Sequence, residues 1–563
     1  MTELERFKIM DENYADLVIE NAEWEQYQAI QDISYLPLNN EYSILYIPVE
    51  NMTYNAVYEF GYTAIPKCYG LMYSESDKID ESYYVHSNTE IDLRGNGVLI
   101  GFVDGGIDYR NPVFQNLDKT TRIVSIWDQS IENFGGYPEG FYYGTEFTKE
   151  QINQALMSEN PLEVVPSIEL SGQGSAMAGI AAGYAMETFR YSGIAPESEL
   201  VIVKLKAAKS YLKTYFGIPE DTLTYQENDV MLGIKYLIET ADRLQRPIVI
   251  CIGLGSWQGS HKGEDIISKY ISQLSTRQGV AVSVGSGEEG NRGNHFYDEI
   301  LKEEDYRLVE LNVSPNESFT MELWGFSPNI LTVDIIAPNG SLVYQMKEVI
   351  IQENTIPVVY NNTSIFIDNR LQEPFAGDQL IMMRFFNMEE GVWRFRVKGH
   401  YKLEERFHIW LPIHQYISNG TFFLLPNMYT TISIPGNTTN LITVTAYNPI
   451  DQELYYYASR GYTKSFEVKP DITAPGVNMV APIRRAEFES FTGTSMAAAY
   501  VAGISALLLE WGVVRRNLPS MNCTFIRYLL TRYAQRNDRI DWPNPNWGFG
   551  IVEDDIKQYL NRE

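Results

Sequence analysis

Val98-Leu-Ile-Gly-Phe-Val-Asp-Gly-Gly-Ile-Asp108 runs from apolar residues into an aspartate and then turns on paired glycines. Apolarity without alternation marks a strand buried on both faces, as the strands of a parallel sheet are. The same signature recurs at Leu200-Val-Ile-Val-Lys204, Ile248-Val-Ile-Cys-Ile252, Val280-Ala-Val-Ser-Val284 and Leu441-Ile-Thr-Val-Thr-Ala446. Between these runs, 174–185 and 227–243 read as helices, and a helix of small residues over 495–511 follows the last. Strands alternating with helices predict an α/β domain built on a parallel sheet.

Outward from this series the pattern changes twice. Residues 1–75 read as a small α+β unit, with helix-compatible sequence over 13–30, an apolar strand at Tyr42-Ser-Ile-Leu-Tyr-Ile-Pro48 and a second patterned stretch over 56–62. An acidic, serine-rich link over 74–81 separates it from the α/β part. From Tyr306 to about Tyr429, runs of alternating polarity (332–336, 379–385, 392–397, 408–411) are broken by Pro-Asn, Asn-Gly and Gly-Asp turns. That reads as an antiparallel β-sandwich or jelly roll inserted into the α/β domain. The expected units are 1–75, 76–300, 301–440 and 441–563, the second and fourth forming one domain.

Composition narrows the partners. The 563 residues carry 73 acidic against 44 basic side chains, a net charge of −29 that repels nucleic acid and anionic lipid and otherwise maintains solubility. Single apolar runs such as 501–509 fall far short of the ~20 residues of a membrane span. Met1-Thr2-Glu3-Leu4-Glu5 lacks the basic start of a secretory signal, so none is expected. Three cysteines, Cys68, Cys251 and Cys523, show neither an even count nor a CxxC spacing, so no disulfide framework, metal site or cofactor is expected.

Four segments in fixed order carry the chemistry: Phe102-Val-Asp-Gly-Gly-Ile-Asp108, Gln173-Gly-Ser-Ala-Met-Ala-Gly179, Lys469-Pro-Asp-Ile-Thr-Ala-Pro-Gly476 and Phe491-Thr-Gly-Thr-Ser-Met-Ala-Ala498. They resemble the motifs of the subtilase family of serine proteases, in the family's order of aspartate first and serine last. The resemblance implies a subtilisin-like fold with Asp104 and Ser495 at catalytic positions. Ser495 would open a helix whose backbone N–H groups meet a developing oxyanion. The family's general base is a histidine at the start of the middle motif, and this chain has Gln173 there. An amide has no useful basicity near neutral pH; it can hydrogen-bond Ser495 but cannot take its proton. The family's oxyanion asparagine matches Glu288 in Val284-Gly-Ser-Gly-Glu-Glu-Gly290, a register one residue away being the alternative.

In subtilisin, loss of the histidine costs about 2 × 10⁶ in kcat, and loss of the oxyanion asparagine about 10²–10³. Either loss removes useful proteolysis. Gly253-Leu254-Gly255 resembles a substrate-binding strand, which would bring His261 near the cleft, and His295 follows the oxyanion segment. Neither would sit on the helix that aims the base, so neither is expected to replace it. Without a partner, Asp104 can serve as a buried hydrogen-bonding strand end and Ser495 as a helix cap.

Along nearly its whole length the chain is similar to the Csp germination proteases of spore-forming Clostridia. The likeness rests on the N-terminal unit, the Asp104 strand, Val124-Ser-Ile-Trp-Asp128, the β insert and Ala458-Ser-Arg-Gly-Tyr-Thr463. Keeping Asp and Ser with Gln for His resembles the degenerate, CspA/CspC-type members. The resemblance implies an inactive pseudoprotease in the spore that regulates germination by binding. Its implied partners are other Csp proteins, a cortex-hydrolase precursor and, as a further candidate, a small-molecule germinant. A slow or substrate-assisted serine endopeptidase and a structural spore protein are the alternatives.

Overall fold

The computed structural model describes every residue except 3–4, 76–82, 85–91, 134–135, 186–190, 302–304, 349–351, 401–403, 486, 554 and 561–563. At its centre lies an eight-stranded sheet in the order Ile472–Pro475, Ile442–Tyr447, Val280–Gly285, Ile248–Ile252, Leu99–Asp104, Glu199–Lys204, Ile123–Asp128 and Thr145–Thr148. Every neighbouring pair is parallel except the last, which is antiparallel. From Leu99–Asp104 the chain first builds strands on one side and then, from Ile248 on, crosses to the other. The carboxyl end of Leu99–Asp104, where Asp104 sits, is therefore the switch point at which such sheets bind ligands. All six residues of that strand are buried, which is why its sequence does not alternate.

Helices Gln173–Ala182 and Thr494–Leu509 pack on each other and against this sheet, and every residue of both is buried. With its continuation to Val514 the second is 21 residues long and contains an 18-residue window of mean hydropathy 1.7, enough by length and composition to span a bilayer. No single apolar run in it is that long. Alanines, Gly503 and Ser505 interrupt the large apolar residues along the helix. The helix is apolar all round because it lies in the core, with 83% of its apolar window buried.

Residues from His295 to Phe423 form two antiparallel sheets of six and five strands, Leu331–Ile336 and Gly391–Gly399 among them, closed around their own apolar core. The N-terminal unit differs from its sequence reading. Tyr14–Glu20, within the stretch read as helix-compatible, is a strand of an antiparallel sheet ordered Tyr14–Glu20, Tyr42–Pro48, Ser34–Pro37. Its interior residues 15–19 are all buried, Asp16 included, and the Asp16 carboxylate meets Lys209 Nζ at 2.7 Å. Burial on both faces, with a partner about 190 positions away, overrides local helix propensity. The patterned stretch at 56–62 contains the short helix Ala56–Phe60. Of the acidic link, residues 76–81 lie outside the described residues, and Ser74–Glu75 is a strand paired with Phe488–Thr492.

Candidate functional site

Two helix starts and one strand end meet at the switch point. Gln173 begins its helix behind Gly172, whose φ of 79° is left-handed and suits glycine. The first free N–H groups of that helix point at a buried carboxyl: Glu169 Oε1 accepts from Gly174 N at 2.6 Å and Ser175 N at 3.2 Å, and Glu169 also accepts from the Ser175 hydroxyl. Desolvation pushes the Glu169 pKa up to about 8. The helix carrying Ser495 is capped in the same manner, Glu288 Oε1 accepting from Thr494 N at 2.7 Å and Thr494 Oγ1 at 3.1 Å. Burial raises the Glu288 pKa as well. A carboxyl group at position 288 thus meets the positive end of a helix rather than open solvent.

Asp104, Gln173 and Ser495 converge, but not as a relay. Gln173 Nε2 donates to Asp104 Oδ2 at 2.5 Å and to the Gly253 carbonyl at 3.0 Å. Asp104 Oδ1 accepts from Gly105 N at 2.7 Å, and burial raises the Asp104 carboxyl to about 6. Gln173 Oε1 is buried without a hydrogen-bond partner among the described residues. Ser495 Oγ donates to the Met72 carbonyl at 2.6 Å. Among the described residues no hydrogen bond joins Gln173 to Ser495, so the contact expected from the sequence is absent. The amide spends both donors on Asp104 and Gly253, while the serine proton faces a carbonyl, which can only accept.

That carbonyl belongs to a strand lying in the cleft. Cys68–Leu71 pairs antiparallel with Tyr225–Gln226 on one side and with Leu254–Gly255 on the other, and Met72 N donates to Gly253 O at 3.0 Å. Gly253, Leu254 and Gly255 therefore hold a peptide backbone, that of the chain's own N-terminal unit. Ser495 N also faces Met72 O, at 3.4 Å, and residues 74–75 continue to the strand Phe488–Thr492. Gly493 is needed for this approach, since a Cβ there would lie 2.6 Å from Met72 O and 2.8 Å from Tyr73 Cα. A Cβ on Gly253 would lie 2.5 Å from Gln173 Nε2 and 2.7 Å from Asp104 Oδ2. Sequence reasoning missed Gln415, whose Nε2 donates to Leu71 O at 2.7 Å from the connection between the strands Glu405–Trp410 and Phe422–Phe423. A lone glutamine between elements gives no local signal.

The histidines named beside the cleft face elsewhere. His261 stacks on Trp410 with ring centroids 4.1 Å apart, its ring nitrogens facing the carbonyls of Ile432 and Trp257. His295 stacks on Trp410 and bonds His408. Desolvation lowers His261 to about 4 and His295 to about 3, so both are neutral and structural. His86 lies outside the described residues.

A family model described as "Subtilase family" matches residues 420–550, the part that holds Ser495. The solved structure of the Clostridium perfringens CspB protease is 30% identical, covering 84% of this chain and 95% of that one, with a TM-score of 0.74. C5a peptidase of Streptococcus pyogenes is 22% identical over 454 residues, 74% of this chain and 35% of that protein. Bacillopeptidase F of Bacillus subtilis is 27% identical over 142 residues. The chain spans about a third of the length of the C5a peptidases it matches.

Proposed function

The chain belongs to the subtilase family, and on that footing we propose that it is a catalytically inactive pseudoprotease acting by binding. The observation that carries this reading is the pair of hydrogen bonds at the cleft. Gln173 Nε2 donates to Asp104, and the Ser495 hydroxyl donates to a carbonyl instead of to a base. Nucleophilic attack needs that proton removed, and nothing bonded to Ser495 can accept it at neutral pH. The cleft is also occupied by 68–75, so exposed faces rather than the cleft become the binding surfaces. On the resemblance of its motifs to those of the Csp germination proteases, the proposed place is the spore, where it would regulate germination through Csp proteins or the precursor of a cortex hydrolase.

One observation favours a second reading, a slow serine endopeptidase: Ser495 Oγ lies 2.6 Å from the oxygen of a peptide carbonyl held in the cleft. A fluorophosphonate probe, with an active subtilisin as control, separates the two. The pseudoprotease reading expects no label on Ser495; stoichiometric labelling lost in Ser495→Ala would establish an activated serine.

A further inference from the structure

A cavity of about 300 Å³ opens between the antiparallel sheets and the second half of the α/β body, sharing no residue with the cleft. Tyr297 and His408 line it from the strands His295–Ile300 and Glu405–Trp410; Tyr429, Tyr462 and Phe466 complete its aromatic walls. His408 belongs to an aromatic column, stacked on Trp410 with centroids 4.8 Å apart at 7° and tilted against Tyr297 at 4.7 Å.

The hydrogens along this column follow from its contacts. His295 Nδ1 lies 3.1 Å from the Asn427 carbonyl, which only accepts, so Nδ1 carries a hydrogen. Burial lowers the pKa of both His295 and His408, so each neutral ring has one hydrogen. His295 Nε2 is then an acceptor, and His408 Nδ1, 2.9 Å away, must donate to it. His408 Nε2 is left as a bare acceptor, and no hydrogen bond among the described residues reaches it. Lys464, also in the lining, is neutralised: its Nζ donates to Asp378 and, at 2.9 Å, to the Gly325 carbonyl. The lining is thus mainly aromatic, with the polar residues Asn427, Thr430 and Thr463 beside the bare His408 acceptor, and among the lining residues no unpaired charge favours an ion.

We propose that this cavity binds a small uncharged aromatic molecule carrying one O–H or N–H donor, its ring against the aromatic walls and its donor on His408 Nε2. The volume suffices, since a cavity of about 150 Å³ already holds benzene. The inference stands apart from the pseudoprotease reading and survives if the cleft proves active.

Phenol and fluorobenzene, nearly equal in size, test it on the full chain by calorimetric titration. Phenol should bind about tenfold more tightly, because its hydroxyl donates to His408 Nε2 and fluorobenzene has no donor to offer it. His408→Phe keeps a stacked ring and should remove that difference. Phe466→Ala, at a side chain 66% exposed and so neutral for folding, should weaken both ligands severalfold. No saturable phenol binding, equal affinity of the two ligands for the unaltered protein, or indifference to Phe466→Ala would overturn the proposal.

Discussion

Replacing Gln173 by histidine puts an imidazole where an amide donates to Asp104 at 2.5 Å. An imidazole in that place can keep the bond to Asp104 through Nδ1 and present Nε2 to Ser495, which the amide does not reach. The substrate is built in: Ser495 Oγ is 2.6 Å from Met72 O, so the bond to be cut joins Met72 to Tyr73. The histidine alone is worth about 10⁶ in subtilisin, but the oxyanion side stays impaired. On the proposed alignment Glu288, already engaged by Thr494 N at 2.7 Å, stands where the family has an asparagine donor. That defect is worth about 10²–10³. Gln173→His should therefore cut slowly, and Gln173→His with Glu288→Asn about 10²-fold or more faster. Intact-mass spectrometry over time, following release of residues 1–72, reads both rates. Equal rates in the single and double variants would refute the role given to Glu288. An inert double variant would refute the claim that the cleft otherwise keeps its geometry.

Two further outcomes follow. Lys209 Nζ is buried with all three of its partners, Asp16 Oδ1 and the carbonyls of Lys8 and Tyr14, in the N-terminal unit. Asp16→Ala should cost about 3–5 kcal/mol by urea titration, because it leaves a buried cation uncompensated. Glu169 provides the pH test. A carboxyl whose folded pKa is raised holds its proton more tightly folded than unfolded, so its contribution is full below about 4.5 and is lost as pH rises through about 8. Relative to Glu169→Gln, the unaltered protein should lose melting temperature between pH 6 and pH 9; parallel curves would contradict the buried cap.

Much of the α/β core was legible because its strands are buried on both faces, so Leu99–Asp104 and Ile248–Ile252 read as unbroken apolar runs. The convergence of Asp104, Gln173 and Ser495 was legible because each sits at a motif-bearing strand end or helix start. What was hidden depended on distant partners. Tyr14–Glu20 is a strand because Tyr42–Pro48 pairs with it and Lys209 meets its buried aspartate. His261 and His295 are placed by Trp410, more than 100 positions away, and not by the cleft-like segments they follow. The loss of the Gln173–Ser495 contact could not be read either, since it follows from where Met72 lies.

The most direct test of an inactive cleft is the intact mass of the purified chain against that of Ser495→Ala. With no base at position 173, both should be single species, the unaltered chain at 64.4 kDa with residues 1–72 still attached. A stoichiometric pair of fragments cut after Met72 in the unaltered protein, and absent from Ser495→Ala, would show that the cleft is a working protease.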